Sequence, residues 1–186
     1  RADALLADGR RLANGLAAAE ARTLAAQADI ALDMLQTGLS HSLLLDTGAS
    51  WDTHLDNSDQ HALHDDLFAG LDRLVGGLSS AGLLDTTIVL VVSEMARATR
   101  RNSGGGKDHW PSTSAMLIGG PVAGGRSIGA TTDTLAPLPL DLVTGRRDDR
   151  GLVPRYNHLI AGVLQLAGVD PEPWLPGVTP LGGLTG

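Results

Sequence analysis

Five side chains that could bind a metal ion lie in three short stretches of the sequence. They are Asp52, His54, Glu94, Asp108 and His109. Asp52 and His54 are two residues apart, so in an extended segment both side chains leave the backbone on the same side and can converge on one ion. Carboxylate oxygen and neutral imidazole suit zinc, manganese, calcium or a similar ion. These residue types and spacings predict a divalent metal site.

The elements that must position these side chains are predicted by short apolar runs. Residues 42–45, 86–92 and 114–118 have the composition and length of strands. Side chains at 56–58 can cap a helix, and apolar residues then recur at helical spacing from Leu63 through about Ser80. A helix between the first two strands makes a βαβ unit, in which the strands are parallel and the crossover is right-handed. Ligands collect outside the carboxyl ends of such strands, so we expect the metal site on one rim of the sheet.

The remaining sequence predicts further helices around this core. One helical face is expected over about 12–36, ended by Gly38, and another helix over 156–167. Residues 121–150 are rich in Gly, Pro, Thr and Asp, which indicates loops and short hairpins. The predicted fold class is α/β, a mainly parallel sheet flanked by helices. The chain is predicted to be one domain, with a helical lead-in over 1–38, a βαβ core over 39–120, and loops, a helix and an irregular tail over 121–186.

The composition excludes several classes of function. With 21 Asp and Glu against 14 Lys and Arg, the net charge is -7, which argues against nucleic acid because a phosphate backbone requires a basic surface. The absence of cysteine excludes thiolate zinc sites, disulfides and cysteine nucleophiles. No apolar run approaches the roughly 18 residues of a membrane-spanning helix. The excess of carboxylates instead suits a protein that holds cations.

Several short motifs occur in order along the chain. They are WDTH at residues 51–54, GLLD at 82–85, SE at 93–94, DHWP at 108–111 and MLIGG at 116–120. In these motifs the chain resembles the DUF1501 family, a bacterial family that is usually exported by the twin-arginine route and grouped with sulfatases and alkaline phosphatases. The resemblance implies a sulfatase-like, alkaline-phosphatase-like α/β fold and a periplasmic or secreted protein.

The activity that this resemblance implies is metal-dependent hydrolysis of phosphate or sulfate esters. The five metal-ligand candidates fall on the family's motif positions, and Arg97 would clamp a small anionic ester substrate. Divalent ions of this kind stabilise both the attacking and the leaving oxygens. The superfamily places its Ser or Thr nucleophile and a further metal-binding Asp on a segment that would precede Arg1. The chain is therefore expected to be the C-terminal portion of a larger sulfatase-like domain, completed by that segment or by a partner chain.

A competing prediction is a non-catalytic secreted or surface-associated domain that keeps the fold and at most one metal ion. The missing nucleophile segment favours it. So do Met95-Ala96 and Ala98-Thr99, which stand where the family usually has Phe-Gly and Thr-Pro. In the absence of a metal, the acids and histidines would be ordinary hydrogen-bonding groups of loops and helix caps.

Other patterns have plainer interpretations. His61 and His64 are three residues apart beside acidic residues, which is typical of a solvated helix face. The sequence DTGA at 46–49 resembles an aspartic protease motif, but that chemistry needs two aspartates and no second copy is present. The run GGGK at 104–107 is not a phosphate-binding loop, since Asp108 follows it, and we interpret it as a hinge. Trp51 and Trp110 flank candidate ligands and are expected either to wall the site or to pack in the core.

Overall fold

The computed structural model describes residues 23–185, which form two compact units. The first unit contains the described residues up to Asp85 together with Arg101–Asp108. The second unit contains Thr86–Arg100 and the described residues from His109 onward. Within the described range, the first unit carries two α-helices, and the second carries one α-helix and the assigned strands.

Helix α1 (Leu24–Gln36) has clear signals at both ends. At its start, the Thr23 hydroxyl oxygen accepts a hydrogen bond from the backbone N–H of Ala26 at 3.3 Å. At its end, Gly38 has a φ of 69°, the left-handed conformation that commonly follows a helix. The predicted C-terminal end of this helix is confirmed, whereas its predicted first part, over 12–22, lies outside the described residues.

Helix α2 (Gln60–Ser80) confirms the helix predicted after residues 56–58 and through about Ser80, and it packs against α1. Its buried face includes Leu74 and Leu78, the second of which is completely inaccessible to solvent. Gly70 and Gly77 lie so close to leucine side chains of α1 that a Cβ atom at either position would overlap them. The two helices therefore pack closely, and their facing leucines form the core of the first unit.

The strands of the second unit form two short antiparallel pairs. β1 (Val89–Val91) pairs with β4 (Met116–Ile118), and β2 (Ala96–Arg97) pairs with β3 (His109–Trp110). Residues 121–150 contain turns and isolated bridges, which confirms the loops and short hairpins predicted there.

Helix α3 (Tyr156–Leu166) confirms the third predicted helix and packs against an apolar cluster of the second unit. The buried members of this cluster are Leu140, Leu142, Leu181 and Leu184. Leu159, Val163 and Leu166 of α3 pack against it. Of the helices within residues 23–185, none is both long enough and apolar enough to cross a membrane.

A carboxylate closes the turn next to this cluster. Asp141 Oδ1 accepts hydrogen bonds from the backbone N–H groups of Thr144 at 3.0 Å and Val143 at 2.8 Å. These two bonds, with that of Thr144 the stronger cause, hold the pKa of Asp141 below its ordinary value because they stabilise the charged form.

The predicted fold class, a mainly parallel α/β sheet flanked by helices, is wrong for the described residues. The strand expected over 42–45 is irregular, and Leu44 is 96% exposed. The run over 86–92 becomes a strand only at Val89–Val91, and its partner β4 is antiparallel to it. A β-branched run favours extended backbone, but the partner and the direction of pairing depend on contacts between distant residues. The sulfatase-like parallel sheet and its βαβ crossover are therefore not found in residues 23–185.

Candidate metal site

The segment 51–54 turns tightly, which brings Asp52 and His54 together. The backbone N–H of Thr53 donates to the Trp51 carbonyl at 3.0 Å, and that of His54 donates to the Asp52 carbonyl at 3.1 Å. Each bond spans two residues, as in γ-turns. Asp52 Oδ1 lies 3.0 Å from Nε2 of His54. The two side chains therefore meet through tight turns, where the sequence predicts an extended segment.

Thr53 anchors this segment to helix α2. Its side chain is buried, with 7% of the residue exposed, and its hydroxyl oxygen accepts a hydrogen bond from Gln60 Nε2 at 2.9 Å. The same amide group also reaches the Trp51 carbonyl, at 3.4 Å. Because Gln60 is the first residue of α2, the helix holds the segment from one side. This role of Gln60 was not predicted from the sequence, since glutamine at a helix start has many other uses.

A second carboxylate lies on the other side of the His54 ring. Asp108 Oδ1 is 3.4 Å from Nδ1 of His54, so each ring nitrogen faces a carboxylate oxygen. The side chains of His54, Asp52 and Asp108 are 41%, 51% and 66% exposed. Water screens charges at this exposure, so the contacts among these three side chains contribute little to folding stability. Its main effect is to orient the imidazole.

The glycine-rich loop that carries Asp108 packs against the same segment. Gly106 is buried, and a Cβ atom there would overlap the backbone of Thr53 and His54. A backbone hydrogen bond of 2.9 Å from Asn102 to Gly106 closes the loop. Direct packing of the loop backbone on the segment places Asp108 beside His54, where the sequence predicted a hinge.

Two further predicted site residues are neighbours within the second unit. Arg97 and His109 are directly opposite each other in the β2–β3 pair. Opposite residues of an antiparallel pair project from the same face, with Cβ atoms about 4.5–5.5 Å apart. The predicted clamp for an anionic ester thus lies beside a predicted imidazole ligand. Glu94 is an exposed residue on the bend between β1 and β2, and its role as a ligand stays a prediction.

The two tryptophans next to the candidate ligands are held by different groups. The Trp51 ring meets the His64 ring edge-on, with centroids 4.9 Å apart. Nδ1 of His64 is 2.8 Å from the Gln60 carbonyl oxygen, so this histidine packs Trp51 onto helix α2. Nε1 of Trp110 donates to the Leu135 carbonyl at 3.0 Å, within the second unit. Both indole groups therefore support the backbone that carries the candidate ligands.

A family model described as a protein of unknown function (DUF1501) matches residues 7–172 of the chain. The match spans all the metal-ligand candidates and Arg97. No curated protein and no solved structure shows a significant match to the chain.

Proposed function

Because the chain belongs to the DUF1501 family, whose description assigns no activity, we propose a function from its own side chains: metal-dependent hydrolysis of phosphate or sulfate esters. The observation that carries this proposal is the row of Asp52, His54 and Asp108. A relation to sulfatases and alkaline phosphatases is part of the proposal, and so is a periplasmic or secreted location. The relation is supported by the order of the motifs and by the chemistry of the side chains, and the location by the family resemblance that the motifs carry. Neither has support from the fold.

The row of side chains fits a divalent cation. A neutral imidazole has one N–H and can donate to only one of the two carboxylates that flank His54. When Nδ1–H donates to Asp108, Nε2 and the Asp52 oxygen meet as two lone-pair donors 3.0 Å apart. Ligand atoms around one zinc ion, each about 2.0–2.1 Å from it, are typically about 3.3 Å apart. Asp108 then takes the place of the carboxylate that commonly orients a metal-binding histidine.

His109 is proposed as a third ligand because it is the next residue after Asp108. Asp52, His54 and His109 are side chains of the kinds that could hold a metal ion, and His109 follows Asp108 directly in the sequence. Two imidazoles and one carboxylate favour zinc or manganese over calcium, which prefers oxygen ligands. Direct metal binding by Glu94 and by Asp108 stays a prediction.

The chain's own groups would have separate tasks in ester hydrolysis. A bound divalent ion would supply Lewis-acid stabilisation of the ester oxygens. Arg97, on the same strand-pair face as His109, would donate hydrogen bonds to the anionic oxygens and orient the ester. Asp108 would keep the His54 ring in one orientation.

Metal titration of the full chain tests the proposal. Zinc and manganese binding, followed by calorimetry, is expected to weaken at least about tenfold in Asp52→Asn. The matched control is Asp46→Asn, since the Asp46 carboxylate accepts from the backbone N–H of Gly48 in a separate turn. Hydrolysis of p-nitrophenyl phosphate and p-nitrophenyl sulfate by the metal-loaded chain would then be lost in Asp52→Asn and reduced in Arg97→Met. Equal zinc affinity in Asp52→Asn and the parent would contradict the site.

A non-catalytic metal-binding domain is the second candidate. The observation that favours it is the 41–66% exposure of the three side chains in the row, because catalytic sites usually exclude water around the reacting groups. Stoichiometric zinc binding that depends on Asp52, with no hydrolysis of either ester, would select this candidate over the hydrolase.

A further inference from the structure

The side chain of Asn102 makes three hydrogen bonds at the candidate metal site. Its Nδ2 group donates to the His54 carbonyl at 3.0 Å and to Asp108 Oδ1 at 2.9 Å. Its Oδ1 accepts from the backbone N–H of Gly104 at 3.0 Å. The two ends of an amide are told apart by such partners, and here the Gly104 N–H requires oxygen on one end while two acceptors require nitrogen on the other.

This amide meets the same carboxylate oxygen that faces the imidazole. Asp108 Oδ1 lies 2.9 Å from Asn102 Nδ2 and 3.4 Å from Nδ1 of His54. The shorter bond restrains that oxygen beside the ring in a side chain that is 66% exposed. Asn102 is itself fixed by its backbone hydrogen bond to Gly106. One amide thus ties the glycine-rich loop, the His54 backbone and the Asp108 carboxylate together.

We propose that Asn102 is a positioning residue: by holding Asp108 Oδ1 at Nδ1 of His54, it favours the imidazole proton on Nδ1 and so leaves Nε2 on the Asp52 side, where a metal ion would bind. The part of this inference that concerns the metal rests on the proposed function. The tautomer also depends on Asp52, whose Oδ1 lies 3.0 Å from Nε2, so Asn102 acts on the balance between the two tautomers. The partner on one ring nitrogen decides the tautomer of a neutral histidine and hence which nitrogen can bind a metal.

The variant Asn102→Asp tests this role with little change of shape. Aspartate keeps the oxygen that accepts from Gly104, so the turn of the loop is retained, but it lacks the Nδ2 donors and puts a like charge beside Asp108. The matched control is Gln27→Glu. Gln27 also bonds a loop backbone through both ends of its amide, to Asp46 at 2.5 and 3.0 Å. The two variants therefore make the same chemical change in the same unit.

The first readout is the His54 tautomer, measured by long-range ¹H–¹⁵N NMR of the full chain in the buffer of the zinc titration. The parent and Gln27→Glu are expected to carry a larger fraction of the proton on Nδ1 than Asn102→Asp, in which the Nε2 form, with its N–H facing Asp52, gains population. The second readout is zinc affinity by calorimetry, which is expected to fall roughly tenfold in Asn102→Asp and to stay unchanged in Gln27→Glu.

Asp108→Asn separates positioning from a general structural role. If Asn102 acts through Asp108, adding Asn102→Asp to Asp108→Asn will change zinc affinity no further, whereas independent effects would add. An unchanged tautomer and zinc affinity in Asn102→Asp, or full additivity in the double variant, would overturn the positioning role while leaving the metal site intact. An Nδ1 proton in a parent chain that binds no zinc would instead support the positioning of the ring and refute the proposed metal function.

Discussion

Replacing Gly106 by alanine is expected to push the glycine-rich loop away from the segment that carries His54. A Cβ atom at Gly106 would lie within 3.0 Å of backbone atoms of both Thr53 and His54, whereas ordinary contacts are 3.4–4 Å. No side-chain rotation can relieve an overlap with backbone, so the loop would have to move by roughly 1 Å. Overpacking of this kind costs about 1–3 kcal/mol, or roughly 5- to 150-fold in the folding equilibrium.

Gly104, in the same loop, provides the control. A Cβ atom at Gly104 would meet its nearest neighbour, Asn102 Oδ1, at an ordinary 3.4 Å. Alanine there should be neutral or should stabilise the fold by about 0.4–1 kcal/mol, because it restricts the unfolded chain. Alanine is therefore expected to destabilise the fold at Gly106 and not at Gly104, although both lie in one loop.

Urea unfolding followed by tryptophan fluorescence measures the stability of both variants, and calorimetry measures zinc affinity. Gly106→Ala should lower both, since moving the loop also moves Asp108 away from Nδ1 of His54. If Gly106→Ala matched Gly104→Ala in stability and in zinc affinity, close packing of the loop on the segment would not be what holds the site.

Three further predictions concern stability. Gly76→Ala should stabilise helix α2 by about 0.5–1 kcal/mol, because a Cβ atom there meets nothing within 4 Å. Gly77→Ala should destabilise the helix, because a Cβ atom there overlaps a leucine side chain of α1. Urea unfolding measures the stability of both variants. Leu78→Ala, at a fully buried position, should cost about 2–5 kcal/mol in the same assay, while Leu44→Ala, at 96% exposure, should be nearly neutral. Asp141→Asn should lower the thermal midpoint at neutral pH, with a difference that shrinks as pH falls below about 4.

The sign of the pH effect follows from the lowered pKa of Asp141. A carboxyl group whose folded-state pKa is depressed stabilises the fold above its unfolded value of 3.8 and loses that contribution as pH falls toward the folded value. Thermal unfolding measured between about pH 2 and pH 7 shows the pH range over which the stabilising contribution of Asp141 is lost. If the thermal midpoints of Asp141→Asn and the parent differed as much at about pH 2 as at about pH 7, the lowered pKa of Asp141 would not be the cause of the difference.

Equal stability of Gly76→Ala and Gly77→Ala would contradict the close approach of helices α1 and α2.

The helices could be predicted from sequence because their signals are local. Apolar residues at helical spacing predicted the helix that runs through about Ser80, and Gly38 predicted where α1 ends. The strands at Val89–Val91 and Met116–Ile118 also formed within their predicted runs, yet their antiparallel pairing was not predicted. Side-chain periodicity reports which backbone conformation a segment favours, but it does not report which distant segment will pair with it.

The candidate site, like the fold, was predictable only in part from the sequence. The meeting of Asp52 with His54 was predictable, since they are only two positions apart in the sequence. The role of Asn102 was not, because asparagine among glycines is the usual composition of a turn. Its two donor bonds, to the His54 carbonyl and to Asp108, appear only once the loop is folded onto the segment 51–54.

The sequence by itself determined the family, the kinds of metal-binding side chains and the positions of the helices, since composition, short motifs and periodicity all act over a few neighbouring residues. Only the tertiary structure decided that the strands pair antiparallel and that Asp108, 54 residues after His54, lies beside its ring. The physical reason is that such contacts form when a long loop closes, and loop closure depends on packing throughout the unit, including the space that Gly106 leaves open.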